Sequence, residues 1–238
     1  MEPLLNKTVL IIGGTGGIGS ETARLLHLSG ARVFLTSRDS AKLDQLSETI
    51  GIPVSNRFIV DLKNAADIQR MMTTVQDLSG SIDILINAAG IGIIKPFEML
   101  TQQDIRDSLE INLIGVFNLI QAVLPGMKEQ KKGLIINIPG VLGKTPMAGA
   151  SAYAASKYGL NGMLKSLREE LKRTEIRITN VYMGGVDSPF WDHIDLKVQR
   201  DKMIAVKEAG KTIWFLCQQP RSAVVSEMVI QPFNHQAI

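Results

Sequence analysis

The stretch VLIIGGTGGIGSETARLL, from Val9 to Leu26, decides the fold. Its first residues continue a short apolar run that predicts a buried β-strand over 8–12. Gly13, Gly17 and Gly19 follow at once in the pattern G-x-x-x-G-x-G, and apolar residues at helical spacing come next. A strand that passes through a glycine turn into a helix lets the backbone approach a pyrophosphate, which the N–H groups of the helix N-terminus then bind. The stretch therefore predicts a dinucleotide-binding loop.

The same alternation of apolar strand and amphipathic helix continues along the chain. Repeated β-α-β units with continuously apolar strands indicate a parallel sheet covered by helices on both faces. The sequence therefore predicts an α/β fold, a Rossmann-like doubly wound parallel sheet of about seven strands, in one domain over 1–238. The least regular segment, 184–203, is a candidate substrate lid. Strands are predicted at 8–12, 31–37, 55–62, 82–90, 134–138, 176–183 and 226–232, and helices at 18–30, 39–51, 64–80, 101–127 and 151–173.

Composition excludes several classes of protein. The 238 residues carry a net charge of +3, too small an excess to indicate nucleic acid as a partner. A single cysteine, Cys217, allows no disulfide within the chain and predicts a reducing, cytoplasmic location, with the thiol as a buried apolar group rather than a reactive one. No apolar stretch is expected to span a bilayer. His27, His193 and His235 are too scattered to predict a metal site.

The end of the second predicted strand bears on the choice of coenzyme. A carboxylate usually binds a free ribose 2′-hydroxyl at this point, but the chain has Ser37 followed by Arg38. A guanidinium suits a 2′-phosphate, so these residues favour NADP(H) over NAD(H). Asp39 comes next and is interpreted as the N-cap of the following helix. The alternative for Arg38 is a solvated surface side chain.

Tyr153 and Lys157 form a second chemical signal. Residues at i and i+4 share one face of a helix, and an ammonium beside a phenol is expected to lower the tyrosine pKa. Such a pair can exchange a proton with a carbonyl or an alcohol. On their own, the two residues are better interpreted as a helix-face tyrosine and an exposed lysine, and the other motifs of the chain favour the catalytic role.

These motifs together resemble the short-chain dehydrogenase/reductase family, over about residues 7–232. The resemblance departs at Ile12, Met183 and Ser188, where the family has Thr, Pro and Thr. It implies oxidoreductase activity on a small carbonyl or alcohol, with Tyr153 as the acid/base, Lys157 tuning it and Asn112 supporting the proton relay. The implied coenzyme site consists of Gly13, Thr15, Gly16, Gly17, Ile18, Gly19, Ser37, Arg38, Asp61, Leu62, Asn87, Ala88, Ala89, Gly90, Tyr153, Lys157, Gly184, Val186 and Ser188.

One departure concerns the chemistry itself. The family's catalytic serine lies thirteen residues before the tyrosine, and that position is Gly140, preceded by Pro139. Another donor could replace the hydroxyl, with Thr145 and Ser151 close in sequence. Alternatively the chain is a poor catalyst, or a non-catalytic NADP(H)-binding sensor or partner protein, or the glycine is an engineered substitution. Retention of the tyrosine favours an active or residually active reductase.

The lid and two helices predict the surroundings of the site. Phe190, Trp191 and Met203 would form an apolar wall over the nicotinamide, or would anchor the lid on the core. Polar contacts to a substrate could come from Asp192, His193 and Lys197. Apolar residues on more than one face of helices 101–127 and 151–173 predict a homodimer or homotetramer, unless they pack internally. A C-terminal tail after the last strand could also reach a neighbouring subunit.

Overall fold

The computed structural model describes residues 1–194 and 196–234, and over these residues a seven-stranded parallel sheet runs in the order β3-β2-β1-β4-β5-β6-β9. A separate pair joins β7, in the candidate lid 184–203, to β8, directly after it. The predicted doubly wound α/β fold is therefore confirmed. The strands are β1 (Thr8–Ile12), β2 (Arg32–Ser37), β3 (Arg57–Ile59), β4 (Ile84–Asn87), β5 (Lys132–Asn137), β6 (Glu175–Met183), β7 (Val186–Asp187), β8 (Ile204–Ala205) and β9 (Glu227–Ile230).

The helices cover both faces of this sheet. Alternate residues of each strand enter two separate cores, so Leu10 and Ile12 of β1 face one layer while Val9 and Ile11 face the other. Burial on both faces explains why the strands are continuously apolar. The helices are α1 (Gly17–Leu28), α2 (Ser40–Ile50), α3 (Ala65–Ser79), α4 (Gln102–Leu109), α5 (Gly115–Glu129), α6 (Ser151–Leu171) and α7 (Val206–Leu216).

The third strand and the long helix predicted over 101–127 differ from the structure, the strand predicted over 82–90 is shorter, at Ile84–Asn87, and the structure has an additional helix. The third strand was expected over 55–62 but spans Arg57–Ile59, because a 3-10 turn at Val54–Asn56 follows Pro53. The long helix expected over 101–127 is divided into α4 and α5 by a π-helical turn, Glu110–Ile114. Helix α7 had not been predicted. The predicted C-terminal tail ends in residues 235–238, which lie outside the described part of the chain, as does His235.

The helical run Gln102–Glu129 bears on the prediction that no apolar stretch of the chain could span a bilayer. By length and composition alone it could cross a membrane, with a mean hydropathy of 1.4 over its most apolar window. The prediction that no such stretch exists is therefore wrong. In the structure, Val116, Leu119 and Val123 of this run are fully buried in the core against the sheet, which explains much of its apolar character.

The apolar surplus expected on the two long helices is mostly buried within the chain. Leu160 and Leu164 of α6 are fully buried. On α5, Ile120 is buried, whereas Ile114 and Phe117 near its start remain about half exposed. Internal packing therefore explains α6, and an apolar patch remains at the start of α5.

Gly115 provides a test of how tightly the π-helical turn packs. A Cβ at this position would lie 2.7 Å from the Leu62 carbonyl oxygen, a backbone atom that cannot easily move. Gly115→Ala is expected to lower the free energy of unfolding by about 1–3 kcal/mol, as overpacking typically does. Urea denaturation measures this change.

Gly126 on the same helix is the matched control. A Cβ there meets nothing within 4 Å, so Gly126→Ala should raise stability by about 0.5–1 kcal/mol through helix propensity. Equal effects of the two substitutions would contradict the close contact between Gly115 and Leu62.

Candidate active site

The glycine turn lies at the point of the sheet where the strand order reverses, between β1 and β4. Gly13 has φ +77°, and a Cβ there would lie 2.8 Å from the Ala89 amide nitrogen. A Cβ on Gly19 would overlap the Gly13 carbonyl oxygen. Crevices at this position bind dinucleotides in open α/β sheets. Because Gly16 and Gly17 carry no side chain, the backbone N–H groups at the N-terminus of α1 are accessible. The residues present therefore fit a pyrophosphate group.

A cavity of about 790 Å³ opens beside this turn, at the carboxyl ends of the strands. It brings together residues that the sequence had predicted from four separate motifs. Ser188 lines it on one side, and a Cβ on Gly17 would lie only 2.8 Å from the Ser188 Cβ. The predicted residues that line the cavity are Gly16, Gly17, Ile18, Ala88, Ala89, Gly90, Gly140, Tyr153, Lys157, Gly184, Val186 and Ser188.

Ser37 and Arg38, the residues predicted to select the coenzyme, lie at the end of β2 and do not line this cavity. The buried Ser37 hydroxyl lies 2.8 Å from the Thr15 hydroxyl and accepts a hydrogen bond from the Asp39 amide at 3.0 Å. Asp39 accepts a bond from the Lys42 amide, as expected of an N-cap. Arg38 is exposed. The carboxylate at this strand end is therefore engaged by its own helix, and the guanidinium is accessible.

Asp61 and Leu62, which the family resemblance assigns to the coenzyme site, have structural contacts of their own. The Asp61 carboxylate accepts a hydrogen bond from the Lys63 amide at 3.0 Å. Leu62 is buried beneath Gly115.

Asn87, at the end of β4, fixes the floor of the site. Its side-chain amide donates to the side-chain oxygen Oδ1 of Asn137 at 2.7 Å, and its own side-chain oxygen accepts from the Ala89 amide at 3.3 Å. Asn87, Asn137 and Asn180 are neighbours in strand register, so three asparagines lie side by side across β4, β5 and β6. The row ties the segment after β4 to the central sheet.

Asn112 lies in the π-helical turn and is fully buried. Its oxygen accepts from the Ile91 amide at 2.9 Å, and its amide donates to the Ile91 carbonyl at 2.9 Å and to the Ser156 hydroxyl at 3.0 Å. Ser156 in turn donates to the Tyr153 carbonyl at 2.7 Å. Ser156 was not among the predicted site residues; its one signal in the sequence is its place between Tyr153 and Lys157. Through these bonds Asn112 joins the loop after β4 to the start of α6.

Tyr153 and Lys157 share the face of α6 that borders the cavity, and the lysine Nζ lies 5.5 Å from the tyrosine ring centroid. Lys157 is 2% exposed, and burial lowers its pKa to about 8. Burial raises the pKa of the Tyr153 phenol above its ordinary value. The expectation that the lysine lowers the tyrosine pKa is thus wrong for the chain without coenzyme, because the cost of burying a phenolate exceeds the effect of the nearby cation.

Gly140 adopts a backbone conformation that favours glycine. Its φ of +71° and ψ of 166° lie in a region that other residues rarely enter. A Cβ built there would lie 3.6 Å from the Tyr153 hydroxyl, which is ordinary van der Waals contact. The position therefore still faces the phenol, and the backbone rather than the available space opposes a side chain.

The candidate lid, 184–203, places aromatic rings beside Tyr153. Phe190 lies 6.2 Å from Tyr153 between ring centroids and meets Trp191 edge-on at 5.4 Å. Phe190 also fills the space beside Gly92, where a Cβ would overlap its ring. The Trp191 indole N–H donates to the Val186 carbonyl at 2.9 Å. This carbonyl is one that the family resemblance assigns to the nicotinamide.

The predicted polar contacts of the lid divide into two groups. Lys197 lines the cavity. Asp192 instead binds Arg200 at 2.7 Å, and His193 is exposed.

Of the two hydroxyls that could replace the missing serine, Thr145 lines the cavity, whereas Ser151 is exposed at the start of α6. Within residues 1–194 and 196–234, no group of three or more His, Cys, Asp or Glu residues could hold a metal ion.

Comparison with known proteins identifies the family. The family profile described as short chain dehydrogenase matches residues 7–199. An uncharacterized oxidoreductase of Staphylococcus saprophyticus is 30% identical over 241 residues, covering 98% of this chain and 98% of the relative. The chain belongs to the short chain dehydrogenase family, and its relatives are oxidoreductases.

Solved structures agree with this assignment. A crystal structure of a metagenomic short-chain oxidoreductase in complex with NADP matches with a TM-score of 0.84 and 30% identity, covering 97% of this chain and 99% of that one. A variant of actinorhodin polyketide ketoreductase, solved with NADPH, matches with a TM-score of 0.86 and 25% identity over the full length of both chains.

Burial of Lys157 predicts a specific pH dependence of stability. Its pKa falls from an ordinary 10.5 to about 8, so between these values the unfolded chain binds more protons than the folded one. The lysine contribution to the free energy of unfolding therefore rises with pH across this window, by up to about 3 kcal/mol. Lys157→Met should abolish this rise. Urea denaturation without coenzyme at pH 7.5 and 9.5, for both proteins, measures the difference.

The comparison between the two proteins isolates the lysine. Burial also raises the pKa of Tyr153 and of Cys217, and these groups lower stability as pH rises, but they are present in both chains. The same pH dependence in the wild-type chain and in Lys157→Met would show that Lys157 is not desolvated.

Proposed function

We propose that the protein is an NADP(H)-dependent oxidoreductase that interconverts a carbonyl and an alcohol by hydride transfer, working as one domain with 184–203 as its lid. The observation that carries the proposal is that Tyr153 and Lys157 line one cavity with Gly16 and Gly17 of the glycine turn, while the buried Asn112 is bonded behind them to Ser156. The ketoreductase among its structural neighbours supports carbonyl reduction.

The geometry gives each side chain a role in reduction. When bound, NADPH supplies the hydride for the carbonyl carbon. Tyr153 keeps its proton at neutral pH because burial raises its pKa, so the phenol starts as the donor to the carbonyl oxygen. Lys157, with a pKa of about 8, is mostly an ammonium at neutral pH and stabilises the phenolate left after transfer. Asn112 holds the loop at Ile91 and, through Ser156, the start of α6, and so supports the proton relay.

The coenzyme form follows from the end of β2. Ser37 carries no charge and Asp39 caps α2, so neither opposes a 2′-phosphate as a free carboxylate would. Arg38 is exposed there and suits a 2′-phosphate. NADP and NADPH in the structural neighbours support this choice over NAD(H).

Thr145 is the proposed replacement for the missing serine hydroxyl, since it lines the cavity with Tyr153 and Gly140 whereas Ser151 does not. Loss of one oxyanion donor costs about 10²–10³ in rate, so a reduced activity is consistent with Gly140. The second candidate function is a non-catalytic NADP(H)-binding sensor or partner protein. The glycine-favouring backbone at Gly140 is the observation in its favour.

Assembly and location complete the proposal. Ile114 and Phe117, about half exposed at the start of α5, support a homodimer or homotetramer built on that helix. The single cysteine supports a cytoplasmic location.

Arg38 tests the coenzyme. Arg38→Ala should weaken NADPH binding by about tenfold and leave NADH binding nearly unchanged, because only the former offers a phosphate to the guanidinium. Calorimetric titration with each coenzyme measures both affinities. Arg70→Ala, which removes an exposed arginine of α3, is the control. Equal losses for NADPH and NADH on Arg38→Ala would contradict the assignment.

Gly140 tests the chemistry. Gly140→Ser and Gly140→Ala share the same backbone strain, of order 1–3 kcal/mol, and differ by one hydroxyl. The serine variant should reduce a panel of small ketones and aldehydes faster than the alanine variant, by up to about 10²–10³, with similar NADPH affinity. Loss of NADPH absorbance measures the rate, with the wild-type chain as reference.

Two results would count against parts of this proposal. Equal rates in the serine and alanine variants would show that the missing donor does not limit activity. If the wild-type chain binds NADPH tightly, and neither it nor the serine and alanine variants reduces any carbonyl, the result would favour the non-catalytic sensor.

A further inference from the structure

The charged residues that line the cavity are all cationic within the described part of the chain. They are Lys157, Lys197 and Lys202, and no carboxylate joins them. Lys157 lies beside the tyrosine, so its charge is engaged at the reacting end. Lys197 and Lys202 come from the lid, and both are exposed at the mouth of the cavity.

The described carboxylates of the lid, Asp187, Asp192 and Asp201, do not line the cavity. Asp187 and Asp192 both bind Arg200, at 2.6 and 2.7 Å, and neither lines the cavity. Lys197 and Lys202 form no ion pair with another of the described residues.

Most of the remaining wall is apolar. Val141, Leu142, Pro146, Met147, Leu196 and Val198 contribute to it. Such a wall favours a hydrocarbon body and disfavours a small, fully hydrated substrate. Apolar walls with cations at the mouth fit a molecule that is apolar along its length and anionic at one end.

We infer that the substrate is an apolar oxo compound with a carboxylate at the end remote from its carbonyl, and that Lys197 and Lys202 bind this carboxylate. The inference rests on the proposed function and narrows its substrate class. The carbonyl lies at Tyr153, the chain follows the apolar wall, and the carboxylate remains at the mouth, where it stays partly hydrated.

The coenzyme phosphates are the competing partner for the two lysines. The glycine turn and the N-terminus of α1 already provide the pyrophosphate site. The test therefore measures coenzyme affinity separately from substrate preference.

The test compares 6-oxoheptanoate with its methyl ester, which has the same carbonyl and chain without the charge. We expect the wild-type protein to show a higher kcat/KM for the keto acid, by about five- to tenfold, since partly exposed ion pairs are individually weak. The double variant Lys197→Ala/Lys202→Ala should lose this preference through KM. Its kcat/KM for the ester and its affinity for NADPH should stay unchanged.

Lys207→Ala/Lys211→Ala is the matched control, because it removes two exposed lysines of α7 that do not line the cavity. Equal use of acid and ester by the wild-type protein would overturn the inference and leave the proposed function intact. A weaker NADPH affinity in the double lid variant would assign the lysines to the coenzyme and also overturn it.

A binding measurement separates the two proposals. Calorimetric titration of heptanoate into the complex with NADP⁺ detects the carboxylate site without any turnover. Suppose that heptanoate binds to the wild-type protein and not to the double lid variant, and that the wild-type protein reduces neither the keto acid nor its ester. This result would support the carboxylate site and reject the proposed reaction. Absence of binding together with reduction of the ester would reject the site alone.

Discussion

The structure depends on a close approach of two backbone segments, the turn after β1 and the segment after β4. Gly13 at φ +77° allows this approach, since any Cβ would collide with the Ala89 amide. The contact holds β1 and β4 side by side at the point where strand order reverses. Gly16 and Gly17, at the start of α1, present no side chain to the adjoining cavity. A larger residue at Gly13 would separate the strands and close the anion site in one step.

Around this contact, the site consists of polar groups held in an apolar shell. Asn112 satisfies its side-chain amide through three hydrogen bonds before any ligand enters, so the geometry is fixed in advance. Burial moves the pKa values of Tyr153 and Lys157 in opposite directions, and both shifts favour the uncharged forms. Such a site favours a proton donor over a phenolate, which suits reduction.

Much of this arrangement follows from short-range sequence signals, and the exceptions have physical causes. The glycine turn, the Asp39 cap and the helix-face pair Tyr153 and Lys157 are local patterns, so they could be predicted. The π-helical turn at Asn112 could not, because its apolar spacing resembles that of an ordinary helix. The positive φ of Gly140 and the direction of the tyrosine pKa depend on packing between distant segments, which one sequence does not reveal.

Tryptophan fluorescence can report on the lid. The chain has two tryptophans, and Trp214 lies on α7 with its indole bonded to the Ser29 hydroxyl, away from the cavity. Trp191 has its indole on the Val186 carbonyl and its ring edge-on to Phe190, at the cavity wall. Fluorescence from the two indoles thus arises in different surroundings, and replacement of Trp214 by phenylalanine would leave a single emitter that senses the lid.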